Sequence, residues 1–165
     1  MRPEMVYSYV RDLVETMTGR RPEPDDDGDL LIDYGGAHFY IRIINNDPIV
    51  QVFAIVLADV EPSSDLLVDL NQMNADLIFG RAFHVAGQVL IEHEIWGSDV
   101  NPANLDYACR MVASGADAYG QRLADKFGGK PAFEDSKRDY QMPVHGENGY
   151  GMNKGFRSPG RAASL

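Results

Sequence analysis

Apolar residues at 6, 9, 10, 13, 14 and 17 have the spacing of one helix face, which predicts a helix over residues 5–17. Gly19 and the run Arg20-Arg21-Pro22-Glu23-Pro24 stop it, and Asp25-Asp26-Asp27-Gly28 reads as a polar turn. The period then drops to two. Residues 30–34 make a short strand that ends at Gly35-Gly36, a hairpin signal. Residues 37–44 alternate, with Phe39, Ile41 and Ile43 on one face and His38, Tyr40, Arg42 and Ile44 on the other. After the turn Asn45-Asn46-Asp47-Pro48, residues 49–60 are apolar on both faces apart from Gln51 until Asp59. That pattern marks a central strand covered on both sides.

The helical period returns after Pro62-Ser63-Ser64-Asp65, where a serine can cap the free amides and Asp65 suits the helix dipole. Leu66, Leu67, Leu70, Met73 and Leu77 form the stripe of this second helix. Residues 79–85 and 89–96 then form a hairpin about Ala86-Gly87-Gln88. Asn101-Pro102 opens a last helix, with Leu105, Ala108, Cys109, Val112, Ala116, Tyr119, Leu123 and Phe127 along its apolar side. Gly128-Gly129 ends it. The order α-β-β-β-α-β-β-α defines an α+β fold, an antiparallel five-stranded sheet packed with helices. Residues 1–129 make one domain. Residues 130–165, rich in Gly, Pro, Ser and charge, are expected to be a mostly disordered tail.

With 165 residues, 44% of them apolar and 24% charged, the chain can bury a core of ordinary size. No run reaches the ~20 apolar residues of a membrane helix, and the first residues lack the apolar centre of a signal peptide. Cys109 is the single cysteine, so no internal disulfide forms and a cytoplasmic setting is expected. The net charge is −10. Residues 130–165 hold six basic and four acidic side chains, a balance of +2, which leaves −12 on the first 129. An acidic body repels a phosphate backbone, so nucleic acid is not an expected partner.

Glu92-His93-Glu94 is the one stretch that invites a catalytic or metal reading, and a small metal-dependent hydrolase built on it is the enzymatic alternative. On a strand, however, His93 shares a face with Val89, Ile91 and Ile95, while Glu92 and Glu94 point the other way with Leu90 and Trp96. Pairing Val85 with Val89 puts His84 on the glutamate face, away from His93; a one-residue slip would reverse this. A half-buried histidine flanked by solvated glutamates is the reading adopted. The aspartate run at 25–29 lacks the ligand spacing of a calcium loop. Ser63 and Ser64 have no nearby base, and Cys109 lies on an apolar helix side, where thiols are usually inert. No enzyme activity, cofactor or metal is expected.

The segments Leu70-Asn71-Gln72-Met73-Asn74, Phe79-Gly80-Arg81-Ala82-Phe83 and Gly87-Gln88-Val89-Leu90-Ile91-Glu92 resemble the YbjN-like family, related in fold to type III secretion chaperones of the CesT type. The element order from residue 3 to about 129 matches that family's layout, and the tail lies outside it. The resemblance implies a non-enzymatic domain that often dimerises and binds peptide segments of client proteins. Asn71 and Asn74 match the family motif, and a structural role is expected of them, since a helix-end asparagine can bond nearby backbone. Helices can cover one face of the sheet. Tyr40, Ile44, Leu90 and Trp96, on the other, are the candidate peptide-binding residues, to be covered by helix two, a second protomer or a bound chain. A regulatory or scaffold protein docking through its acidic domain or its tail is the non-chaperone alternative.

Overall fold

The computed structural model describes residues 2–34, 37–44 and 48–131. The expected turns at Gly35-Gly36 and at 45–47, and the expected disorder of the tail beyond residue 131, lie outside the described residues. The elements are α1 (Pro3–Thr18), β1 (Leu30–Tyr34), β2 (Ala37–Ile44), β3 (Ile49–Ala58), α2 (Ser64–Asp76), β4 (Gly80–Val85), β5 (Gln88–Trp96), α3 (Pro102–Phe127) and a two-residue β6 (Lys130–Pro131). Ser63 caps α2 through the amide of Leu66, and Asn101 caps α3 through that of Asn104. Gly19 ends α1 in the left-handed region, φ 73°.

The strands lie in the order β1-β2-β3-β5-β4, every pair antiparallel, with β6 added beside β3. β3 is central, and none of its residues from Val50 to Ala58 is exposed beyond 5%. One face of the sheet carries Leu30, Ile32, Phe39, Ile41, Val50, Val52, Ala54, Val89, Ile91 and Ile95 into one core with Val6, Val10 and Val14 of α1, Leu66, Leu70 and Met73 of α2, and the stripe of α3. A bulge between Ile55 and Leu57 lets the neighbours Val56 and Leu57 both enter that core. All three helices therefore sit on one face. We call the other the second face.

Two local expectations need correction. β4 begins at Gly80, and Phe79 stands outside it with a positive φ of 61°. The late hairpin pairs Val85 with Gln88 and His84 with Val89. Its turn is the two residues Ala86 and Gly87, with φ 49° and 75°, the pair of left-handed residues that a twisted hairpin favours. Alanine is a rare first residue there, so Gln88 looked like part of the turn. This register puts His84 on the same face as His93. The two stay four positions apart along the hairpin, ~13 Å at strand spacing. His84 is held instead by the carbonyl of Val60, 2.9 Å from its Nε2.

Candidate functional site

The second face is built around charge. Asp29, just before β1, accepts two bonds from the Arg42 guanidinium, one of 2.7 Å from Nε, and both residues are buried. Arg42 also lies over the ring of Phe53, 5.0 Å from its centroid, and Tyr40 stacks on that ring at 5.4 Å. On the neighbouring strand pair, Gln51 donates to Glu92 at 2.6 Å, and Arg81 donates to both Glu92 and Glu94. Glu92 is 1% exposed, so the expectation of a solvated glutamate is overturned. Burial raises its carboxyl to about 7, against the pull of Arg81. Alternation on the strand placed Glu92 on the correct face, but not under cover.

A cleft of about 560 Å³ opens beside the first residues of β4 and of α3. Its walls are aromatic: Phe79, His93, Trp96 and Tyr107, with Glu94, Asp99 and Asn104 at the rim. His93 sits edge-on between Phe79 at 6.5 Å and Tyr107 at 5.9 Å. Its Nδ1 is buried without a hydrogen-bond partner, and burial pushes the imidazole pKa down, so the ring is neutral at pH 7. Phe79 is 82% exposed and Trp96 59%. A non-glycine residue in the left-handed region is strained, and here the strain holds a large apolar ring in water, a combination found at binding sites.

The sheet itself is open beside this cleft. β4 starts only at Gly80, opposite His93, and does not reach further along β5. Glu94, Ile95 and Trp96 of β5 pair with Gln51, Val50 and Ile49 on one side; on the other, no strand flanks them among the described residues. An open strand edge next to an apolar cleft can take an extended peptide, the edge supplying backbone bonds and the cleft a side-chain pocket.

Of the residues singled out in the sequence, Trp96 walls the cleft. Tyr40, Ile44 and Leu90 stand on the second face, where Ile44 is 8% and Leu90 1% exposed. Asn74 joins α2 to β4 with two bonds to the backbone of Ala82, accepting from its amide at 2.6 Å and donating to its carbonyl at 2.9 Å. Asn71 is exposed. Cys109 is buried, and its thiol is pushed up to about 12. Among the described residues, no three His, Cys, Asp or Glu side chains gather as metal ligands would. None of their helices is long and apolar enough to cross a membrane. Phe79 and Tyr107 were missed as site residues. Phe79 read as the first residue of a strand, and Tyr107 belongs to neither strand of the hairpin.

This arrangement of helices and sheet is that of the type III secretion chaperones. The ExsC protein of the ExsC–ExsE complex aligns with a TM-score of 0.57 at 14% identity, over 71% of this chain and 95% of that one. SycH of Yersinia pestis, solved with a stable fragment of YscM2, aligns at 0.53 and 16% identity, over 68% and 98%. YbjN from E. coli aligns at 0.54 and 17% identity, over 76% and 96%. Among curated proteins, none matches this chain in sequence. The family described as T3SS (YopN, CesT) and YbjN peptide-binding chaperone 1 matches residues 4–135, and the chain belongs to it.

Proposed function

We propose that this protein is a non-enzymatic, cytoplasmic chaperone-like domain that holds an extended segment of a client protein, and that it works as a homodimer. The observation that carries the reading is the open β5 edge at Glu94, Ile95 and Trp96 beside the aromatic cleft. A client strand adding there would send alternate side chains toward Phe79, Trp96 and Tyr107. The acidic rim and the charge of −12 on the first 129 residues favour a segment that mixes apolar and basic residues. Tyr40, Ile44 and Leu90 on the adjoining second face continue the same path. Leu67 and Val68 of α2, 54% and 66% exposed, offer an apolar patch for a second copy.

The test is selection of bound sequences from a displayed peptide library, followed by anisotropy titration of the best peptide. Trp96→Ala and Phe79→Ala should each weaken binding tenfold or more, since aromatic anchors dominate such interfaces. A library that yields no binder, or a binder indifferent to both substitutions, would remove the reading. Light scattering should give a mass near twice 18.3 kDa, and Val68→Asp should halve it.

A further inference from the structure

The cleft beside β4 and α3 has a chemistry narrower than that of an apolar pocket. Phe79, Trp96 and Tyr107 wall it, and the rings of Phe79 and Tyr107 stand at 76° and 70° to the imidazole of His93. Its charged residues, Glu94 and Asp99, are both acidic, and no lysine or arginine lines it among the described residues. His93 adds no positive charge at pH 7, since burial keeps the imidazole neutral. An aromatic ring is electron-rich over its face, so three such rings beside a carboxylate form a site for a cation.

The two carboxylates differ in what they already hold. Glu94 accepts from Arg81 at 3.0 Å. Asp99 has no cation within ion-pair distance among the described residues, and its carboxylate accepts from the Ser98 hydroxyl at 3.4 Å. Asn104 turns its side-chain N–H to the carbonyl of Asp99, 3.0 Å away, which leaves its own side-chain oxygen as a further acceptor at the rim. The backbone amides of Asn104 and Leu105, which could have drawn an anion to the start of α3, are taken by Asn101.

Such a set suits arginine above other side chains. A guanidinium is planar and weakly hydrated, stacks on rings and spreads five N–H donors over neighbouring acceptors. An ammonium holds its water more tightly. An apolar side chain would cover part of the Asp99 and Asn104 rim with no donor in return. The sheet fixes where the arginine would sit on a bound strand. Gly80 lies opposite His93, so a client strand continuing the line of β4 would set successive residues opposite Glu94, Ile95 and Trp96. Ile95 points into the helix-side core and lines the cleft, and residues directly opposite in an antiparallel pair share a face. The residue opposite Ile95 enters the cleft, and its two neighbours turn to the second face.

We propose that the cleft is a guanidinium pocket: it seats one arginine of the client, at the position opposite Ile95, among Phe79, Trp96 and Tyr107, with Asp99 as its counter-charge. The register rests on the reading of the β5 edge as a client edge. The pocket does not, and it is measured without a strand.

Trp96 is the single tryptophan of the chain and walls the cleft, so intrinsic fluorescence reports on the pocket directly. The full-length protein is titrated with N-acetylarginine methylamide and with its citrulline, lysine and norleucine analogues. Citrulline keeps the shape of arginine without its charge. A saturable change with the arginine derivative is expected, about tenfold tighter than with citrulline or norleucine and several-fold tighter than with lysine. Asp99→Asn should lose most of that preference and Asp99→Glu keep it, with circular dichroism unchanged in both. Equal responses to arginine and to norleucine or lysine, a response that does not saturate, or an Asp99→Asn variant that binds like the native chain would overturn the proposal. The displayed library separates this pocket from the strand edge. Selected peptides with an apolar residue where arginine is expected would overturn the pocket and leave the edge standing. A library without binders, beside a saturating arginine derivative, would support the pocket and remove the edge.

Discussion

Replacing Glu92 by glutamine tests whether burial or the ion pair controls the second face. Glu92 is 1% exposed, and its carboxyl is raised from 4.5 to about 7. Desolvation is the largest cause; Arg81 and the bond from Gln51 oppose it, and Glu94 reinforces it. A group whose folded pKa lies above its unfolded one binds its proton more tightly in the folded state. Its contribution is therefore fully present below pH 4.5 and is lost as the pH rises through about 7. Between pH 5 and pH 8 this amounts to about 2.5 kcal/mol, at ~1.4 kcal/mol for each tenfold difference in proton affinity between the folded and unfolded states. For a domain of this size that is on the order of 8 °C in Tm. The assay is chemical denaturation at pH 5, 6, 7 and 8 for the native chain and Glu92→Gln. Taking the difference cancels every other titrating group. The native chain should lose stability relative to the variant as the pH rises, mostly between pH 5 and 7. A flat difference would mean that Glu92 is hydrated. A difference of opposite sign would mean that the pair with Arg81 outweighs burial, and either result would refute the reasoning.

Asn74→Ala should cost about 1–3 kcal/mol in denaturant unfolding, because it leaves the amide and carbonyl of Ala82 without their side-chain partner. Phe79→Gly should raise stability by about 1 kcal/mol by relieving the positive φ, while weakening peptide binding in the anisotropy titration; a loss of stability would show that the exposed ring packs. Arg42→Ala should cost about 3–5 kcal/mol, since it removes the guanidinium that offsets the charge of the buried Asp29 carboxylate. Gly97→Ala should destabilise by about 1–3 kcal/mol, because the added methyl would meet the Pro48 carbonyl oxygen at 2.6 Å; both are read from the same denaturation curves.

The fold was legible wherever one physical requirement controlled the residues. The stripes of α1, α2 and α3 and the doubly apolar β3 follow from burial alone, and the structure buries them where the period indicated, except for Tyr9 and Leu67, which belong to the expected stripes and stand exposed at the margin of their helices. The starts of α2 and α3 were readable because a free helix amide needs an acceptor and a first turn tolerates proline; the structure picks Ser63 of the two serines and gives Asn101 the cap of α3. The late hairpin was harder. Its register turned on whether Ala86 accepts a left-handed conformation, a choice made by strand twist and not by the residue. Glu92 shows a second limit. Alternation tells which face a side chain takes but not whether that face is wet. The doubly apolar run of β3 carried that information from the start, in the requirement that both its faces be covered. The cleft was least legible, for the same reason in stronger form. Phe79, His93 and Tyr107 come from a loop, a strand and a helix, and no spacing relates them. Only the way α3 crosses the end of a shortened β4 brings them together. A binding surface assembled from strand ends and loop residues leaves each contributor free to look like ordinary core or ordinary surface. In this chain, the signals of function are therefore a strained backbone at Phe79, an exposed aromatic pair and a strand edge left without a neighbour among the described residues.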